Sequence, residues 1–145
     1  MISLRRNDSA EWTDKWVYFY QKHEDAYNVP GLEELQKKLH TGKNCPRVIG
    51  KNEYYEVLRD EEVIGELHIS VGDSDKELVL GILDEFSNHG YGAEAIQYYL
   101  QHFLDSDIKV RVEVDNPLRN RIIRMLRRIG FTQNGVSPLV YTYKK

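Results

Sequence analysis

A chain of 145 residues, 41% hydrophobic and 30% charged, has the composition of one soluble globular domain with a single core. Its longest apolar runs are about six residues, far short of the roughly twenty that cross a bilayer, and its N-terminus lacks a signal peptide's apolar core. The lone cysteine, Cys45, excludes an internal disulfide and a cysteine metal cage, and fits a cytoplasmic protein with no metal site.

A net charge of −3 conceals an asymmetry: residues 116–145 carry +7 and residues 1–115 carry −10. A split of this kind suggests that the basic end meets an anion, although a solvated basic helix face would give the same count.

Asp8-x-x-Glu11 reads as a capping box that opens a first helix over about 9–25, with Trp12, Trp16 and Tyr20 on its apolar side. Val29-Pro30-Gly31 breaks it, and Leu32 to Leu39 has the spacing of a second helix ending near Gly42. Strand candidates follow at 53–59, 62–71 and 76–83, joined by short turns at Asp60-Glu61 and at residues 72–75, so they form an antiparallel meander. Residues 91–104 make an amphipathic helix, and Ile108 to Val114 alternates as a strand. Pro117 opens a helix that stops at Gly130, with Arg121, Arg124, Arg127 and Arg128 opposite its apolar face. Two short strands lie around Gly135 and Pro138. The expected fold is mixed α/β (α+β): a mainly antiparallel sheet flanked by helices, in the order α-α-β-β-β-α-β-α-β-β over a single domain, 1–145.

The most telling segment is Ser87-Asn88-His89-Gly90-Tyr91-Gly92-Ala93-Glu94-Ala95, between a strand and a helix. Glycines allow an anion close to the backbone, and the first helical turn offers unpaired N–H groups carrying about half a positive charge. Such a junction suits a pyrophosphate. Gly90-x-Gly92-x-x-Ala95 formally meets the dinucleotide-binding pattern, with Glu113 or Asp115 downstream. Three antiparallel strands before it and one crossover after it cannot build both halves of a dinucleotide fold.

The arrangement resembles instead the GNAT (Gcn5-related N-acetyltransferase) superfamily. Its acetyl-CoA signature, Arg/Gln-x-x-Gly-x-Gly/Ala, corresponds to Ser87 through Gly92. Its second motif corresponds to Val112-Glu113-Val114-Asp115-Asn116, a helix, and Gly130-Phe131. The resemblance covers about 62–131. It implies acetyl-CoA as co-substrate, no metal, and transfer of acetyl to a primary amine of a small molecule or peptide by direct attack on the thioester. A non-catalytic or regulatory coenzyme-A-binding relative is the alternative. The resemblance places the pyrophosphate on Asn88, His89, Gly90, Tyr91, Gly92 and Ala93. It places the pantetheine arm on the backbone of Gly81, Ile82 and Leu83, where this strand splays from the next. Asn116 falls at both the cofactor and the catalytic centre.

Two departures stand out. Ser87 replaces the Arg or Gln that braces the loop, which predicts weakened cofactor binding. Leu126 stands where the family carries its general-acid tyrosine, and the helix is about one turn longer. Candidate bases are Glu66, Glu77, His68 and Glu113, with Glu77 and Glu66 foremost; Tyr141 and Tyr143 are candidate proton donors. A lysine amine of pKa about 10.4 costs about 4.6 kcal/mol to neutralise at pH 7, against about 1 kcal/mol for an α-amine. A weak base therefore favours amines of low pKa. The acceptor is expected against the first two helices and the terminal hairpin, near Trp16, Tyr20 and Tyr54, and overall acidity hints at a cationic amine. Neither nucleic acid nor membrane is an expected partner, and a homodimer stays open.

Overall fold

The computed structural model describes residues 1–136 and 139–145. The chain runs β1 (Ile2–Arg6), α1 (Asp14–Lys22), α2 (Glu24–Tyr27), α3 (Leu32–His40), β2 (Glu53–Arg59), β3 (Glu62–Val71) and β4 (Lys76–Ile82). A 3-10 turn (Asp84–Phe86), α4 (Tyr91–His102), β5 (Ile108–Val112), α5 (Arg119–Ile129), β6 (Thr132–Val136) and β7 (Leu139–Tyr143) complete it. One seven-stranded sheet holds them in the order β1-β2-β3-β4-β5-β7-β6. Every pairing is antiparallel except β4 with β5. The mixed sheet, the meander and the single crossover through α4 agree with the sequence. Pro138, expected between the last two strands, lies outside the described residues.

The first segment differs from expectation. Residues 2–6 form an edge strand on β2, with Ile2 and Leu4 buried and Arg5 and Arg6 exposed. Two apolar alternations are too few to announce a strand, and its partner lies more than fifty residues away. The Asp8/Glu11 capping box is also overturned. The Asp8 carboxylate pairs with Arg6, while Glu11 forms an isolated bridge with Pro46. The Trp12 N–H donates to the Cys45 carbonyl and the Arg47 N–H to the Ala10 carbonyl, at 2.8 and 2.9 Å. These long-range bonds hold residues 10–12 extended, so α1 begins only at Asp14. His23, at φ −113° and ψ 35°, divides the expected single helix into α1 and the one-turn α2. At the other end of the chain, β5 stops at Val112 rather than Val114, which is exposed.

The helices divide between the faces of the sheet. Ile96 and Tyr99 of α4 and Leu126 of α5 pack on Leu67, Ile69, Leu78, Ile108 and Val112, all buried. Each such aliphatic side chain contributes about 1.5–3 kcal/mol. On the opposite face a smaller aromatic cluster, Trp16, Phe19 and Tyr20 from α1, closes over Leu83. Gly81 permits that approach, because a Cβ there would lie 3.2 Å from both Phe19 Cε2 and Tyr20 Oη.

Candidate active site

β4 and β5 are in register at one pair, Glu77 with Lys109, and then diverge toward their C-terminal ends. A cleft of about 820 Å³ fills the gap. Its walls are the two strands, the N-terminal half of α4 and one side of α5 along its length, and its roof is Phe19, His23, Tyr27 and Asn28. Ladder geometry decides which backbone groups face it. The Leu83 N–H donates to the Ile64 carbonyl at 2.9 Å, so alternation along the antiparallel pair turns Gly81 and Leu83 toward β3. Leu80 and Ile82 are turned toward the cleft. Of the three strand residues expected to present free backbone, Ile82 alone therefore does so. Leu80 joins it, and its carbonyl accepts a 2.7 Å hydrogen bond from the Tyr27 hydroxyl. Burial holds that phenol well above its ordinary pKa.

At its outer end the cleft meets the glycine turn. The Ser87 hydroxyl donates to the Asp84 carbonyl at 2.8 Å, so this side chain braces the 3-10 turn. Asn88 and Gly90 have φ of 65° and 80°, the left-handed conformation that reverses the chain into α4. The internal ladder of α4 begins with the Glu94 N–H on the Gly90 carbonyl, which leaves the N–H groups of Tyr91, Gly92 and Ala93 for an outside acceptor. A Cβ on Gly92 would lie 3.2 Å from Leu80 Cδ2, so the helix sits tightly on the strand here. Asn88, Gly90, Tyr91, Gly92 and Ala93 line the cleft. The His89 ring lies instead against Tyr91, with centroids 5.4 Å apart. From across the cleft Arg121 reaches the Asn88 side-chain carbonyl, and Arg124 and Arg128 line the same wall. Unpaired N–H groups, a helix N-terminus and three guanidinium groups make one strongly anion-attracting end.

The two foremost carboxylates occupy different environments. Glu66, 1% exposed, is held by four donors: the Arg47 guanidinium on both oxygens, Tyr20 Oη at 2.6 Å and Tyr54 Oη at 2.7 Å. Arg47 lies between Trp12 and Tyr54, with Cζ 3.8 and 4.9 Å from the ring centroids. Burial and the adjacent carboxylate hold the Tyr20 and Tyr54 phenols well above their ordinary range. Glu77, by contrast, lines the apex of the cleft with its side chain 25% exposed, and its nearest cation is Arg111 at 3.5 Å. It is therefore the carboxylate with room to take a proton.

The other candidates separate as clearly. Asn116 lines the cleft, and its side-chain carbonyl accepts from the Leu118 N–H at 2.9 Å, organising the turn into α5. Glu113 lies on the same wall. Burial, followed by Arg47, lowers the His68 pKa, which favours a neutral imidazole; His68 does not line the cleft. Tyr141 and Tyr143 lie away from it as well, Tyr141 being buried with Oη 3.4 Å from both Arg127 and Gln133. Leu126 is fully buried and apolar, so no proton donor stands at that position. The roof residues Phe19, His23 and Tyr27 had no sequence signature, because they reach the cleft only through the packing of α1 and α2.

Comparisons with known proteins agree with this geometry. The family model described as Acetyltransferase (GNAT) family matches residues 11–131. No curated protein sequence is close enough to match. Among solved structures, Campylobacter jejuni N-acetyltransferase PseH in complex with acetyl coenzyme A aligns at TM-score 0.60 and 18% identity, covering 100% of this chain and 99% of that one. Aminoglycoside acetyltransferase AAC(6')-Ib with coenzyme A and kanamycin aligns at TM-score 0.67 and 15% identity, covering 100% and 95%. A Bacillus subtilis acetyltransferase in complex with CoA aligns at TM-score 0.66 and 9% identity, covering 100% and 99%. At these identities the likeness is one of fold.

Proposed function

Because this chain belongs to the GNAT acetyltransferase family, we propose that its cleft takes acetyl-CoA and that an acceptor amine is acetylated at the apex, beside Glu77. The observation that carries this reading is continuity. The outward-facing backbone of Leu80 and Ile82 leads directly to the unpaired N–H groups of Tyr91, Gly92 and Ala93. A chain of amides ending in a pyrophosphate matches that sequence of groups in kind and order. The aligned C. jejuni and B. subtilis structures hold acetyl coenzyme A and CoA, which supports the same co-substrate.

Acetyl-CoA supplies an acyl group activated as a thioester, and the chain's own residues do the rest. The Ile82 N–H and the Leu80 carbonyl hold the arm as an added strand edge would, and Tyr27 yields or shares the Leu80 carbonyl. The first turn of α4 binds the pyrophosphate, with Arg121, Arg124 and Arg128 supplying countercharge. A preorganised N–H at the splay polarises the acyl carbonyl at no reorganisation cost. As the amine nitrogen bonds to the acyl carbon Glu77 accepts its proton, the C–S bond breaks and the leaving thiolate takes a proton from solvent; Glu66 acts indirectly by fixing Tyr20 against β4.

Replacing Glu77 by Gln removes the proton acceptor and keeps the shape. The expected result is a fall in kcat/KM of about a hundredfold, within the usual range for a general base, with coenzyme A affinity unchanged by calorimetry. Full activity in Glu77→Gln across the pH range would remove Glu77 from this role.

A further inference from the structure

Beyond the apex, the face of the sheet that carries Glu77 continues across β5 and β7. The pairing register sets Glu77, Lys109 and Thr142 in a row over three neighbouring strands, each about 4.8 Å from the next. Arg111 stands two residues along β5 from Lys109, on the same face. A groove of about 1340 Å³ opens over this half of the sheet, with five lysines against three aspartates in its lining. Thr142 lies in its floor, 8% exposed, with a buried hydroxyl that has no partner among the described residues. The overall acidity of the chain hinted at a cationic acceptor, but of these lysines Lys76, Lys109 and Lys144 are held by carboxylates, and Arg111, lining the cleft beside Glu77, is the cation next to the apex.

The ion pairs sharpen the point. Lys109 is satisfied by Asp75 at 2.6 Å, whereas Arg111, 45% exposed, has only the loose 3.5 Å contact with Glu77 among the described residues. An acceptor amine seated as its ammonium at Glu77 competes for that carboxylate and leaves the guanidinium without a counter-ion. An acidic group on the acceptor itself restores the pairing, and Arg matches carboxylate or phosphate in a bidentate fashion. We propose that the acceptor is an amine bearing its own anionic group, carboxylate or phosphate, a few bonds from the nitrogen, with Arg111 as the specificity-determining residue. This rests on the reading that the amine is acetylated beside Glu77.

Matched acceptor pairs test it by thiol release from acetyl-CoA: tyrosine against tyramine for the carboxylate, and phosphoethanolamine against ethanolamine for the phosphate. In at least one pair the acid-bearing member is expected to have a kcat/KM at least tenfold higher. Arg111→Gln, a change at a half-exposed position, should raise the KM of that member about tenfold and bring the ratio within about twofold. Whichever pair shows the preference identifies the anion. Equal or better use of the acid-free members, or an Arg111→Gln variant that keeps the preference, overturns the proposal. Thiol release from none of the four, with coenzyme A still bound, overturns the proposal, and the transferase reading beneath it falls only if a broad amine panel releases none either.

Discussion

Gly92→Asp is expected to weaken coenzyme A binding about two hundredfold while leaving the protein folded. Gly92 supplies one of three N–H groups that the first turn of α4 leaves unpaired, and a Cβ there meets the flexible end of Leu80 at 3.2 Å and Ile82 Cγ1 at 3.9 Å. The strand side chain can give by a few tenths of an ångström. A carboxylate in the first turn of a helix is itself stabilising by about 0.3–1 kcal/mol, so the helix does not suffer. Set in the first turn of α4, the same carboxylate lies beside the N–H groups assigned to the pyrophosphate. Two like charges about 5 Å apart at an effective dielectric of about 20 repel by about 3 kcal/mol, or roughly two hundredfold in Kd. Calorimetric titration with coenzyme A reads the loss, and circular dichroism reads the fold. A Kd within threefold of the parent protein would mean that the phosphates bind elsewhere.

Glu66→Ala should produce the largest loss of stability of any single carboxylate replacement. The substitution leaves the Arg47 guanidinium, 5% exposed, buried between Trp12 and Tyr54 with no counter-ion, and strips the Tyr20 and Tyr54 hydroxyls of their acceptor. Breaking one side of a buried pair costs about 3–5 kcal/mol, a large part of the roughly 5–15 kcal/mol that holds a domain folded. For a chain of this size the melting temperature should fall by about 10 °C. A melting temperature within about 2 °C of the parent would show that the network is not what ties α1 and the Arg47 segment to the sheet. The contrast with Glu77→Gln is diagnostic, since that change at a quarter-exposed position leaves stability nearly untouched.

What was legible in the sequence follows the range of the interactions involved. The β4–α4 turn was legible because its conformation is local: left-handed Asn88 and Gly90 lie within three residues of the helix they start. The meander was legible for the same reason, its turns being short and its partners adjacent. The strand β1 was not, because five residues with two buried side chains carry little pattern and their pairing is set by β2. The capping box failed because the backbone of residues 10–12 found distant partners near Cys45 and Arg47. Glu66 and Glu77 could not be ranked from their strands, since each is a carboxylate followed by a leucine in a largely apolar strand. Their difference is tertiary: the donors to Glu66 come from positions 20, 47 and 54, whereas Glu77 faces an opening that exists only because two parallel strands part.

If this cleft transfers acetyl from coenzyme A to an amine, both products must appear together. The protein is mixed with acetyl-CoA and the amine panel, free thiol is titrated with time, and the acetylated amine is quantified by mass spectrometry. Thiol and N-acetyl product appearing in equal amounts, over many turnovers and slowed by Glu77→Gln, is the predicted result. Coenzyme A that binds but releases no thiol above the protein-free rate would rule out acetyl transfer, and would point to the non-catalytic relative that the apolar Leu126 otherwise suggests.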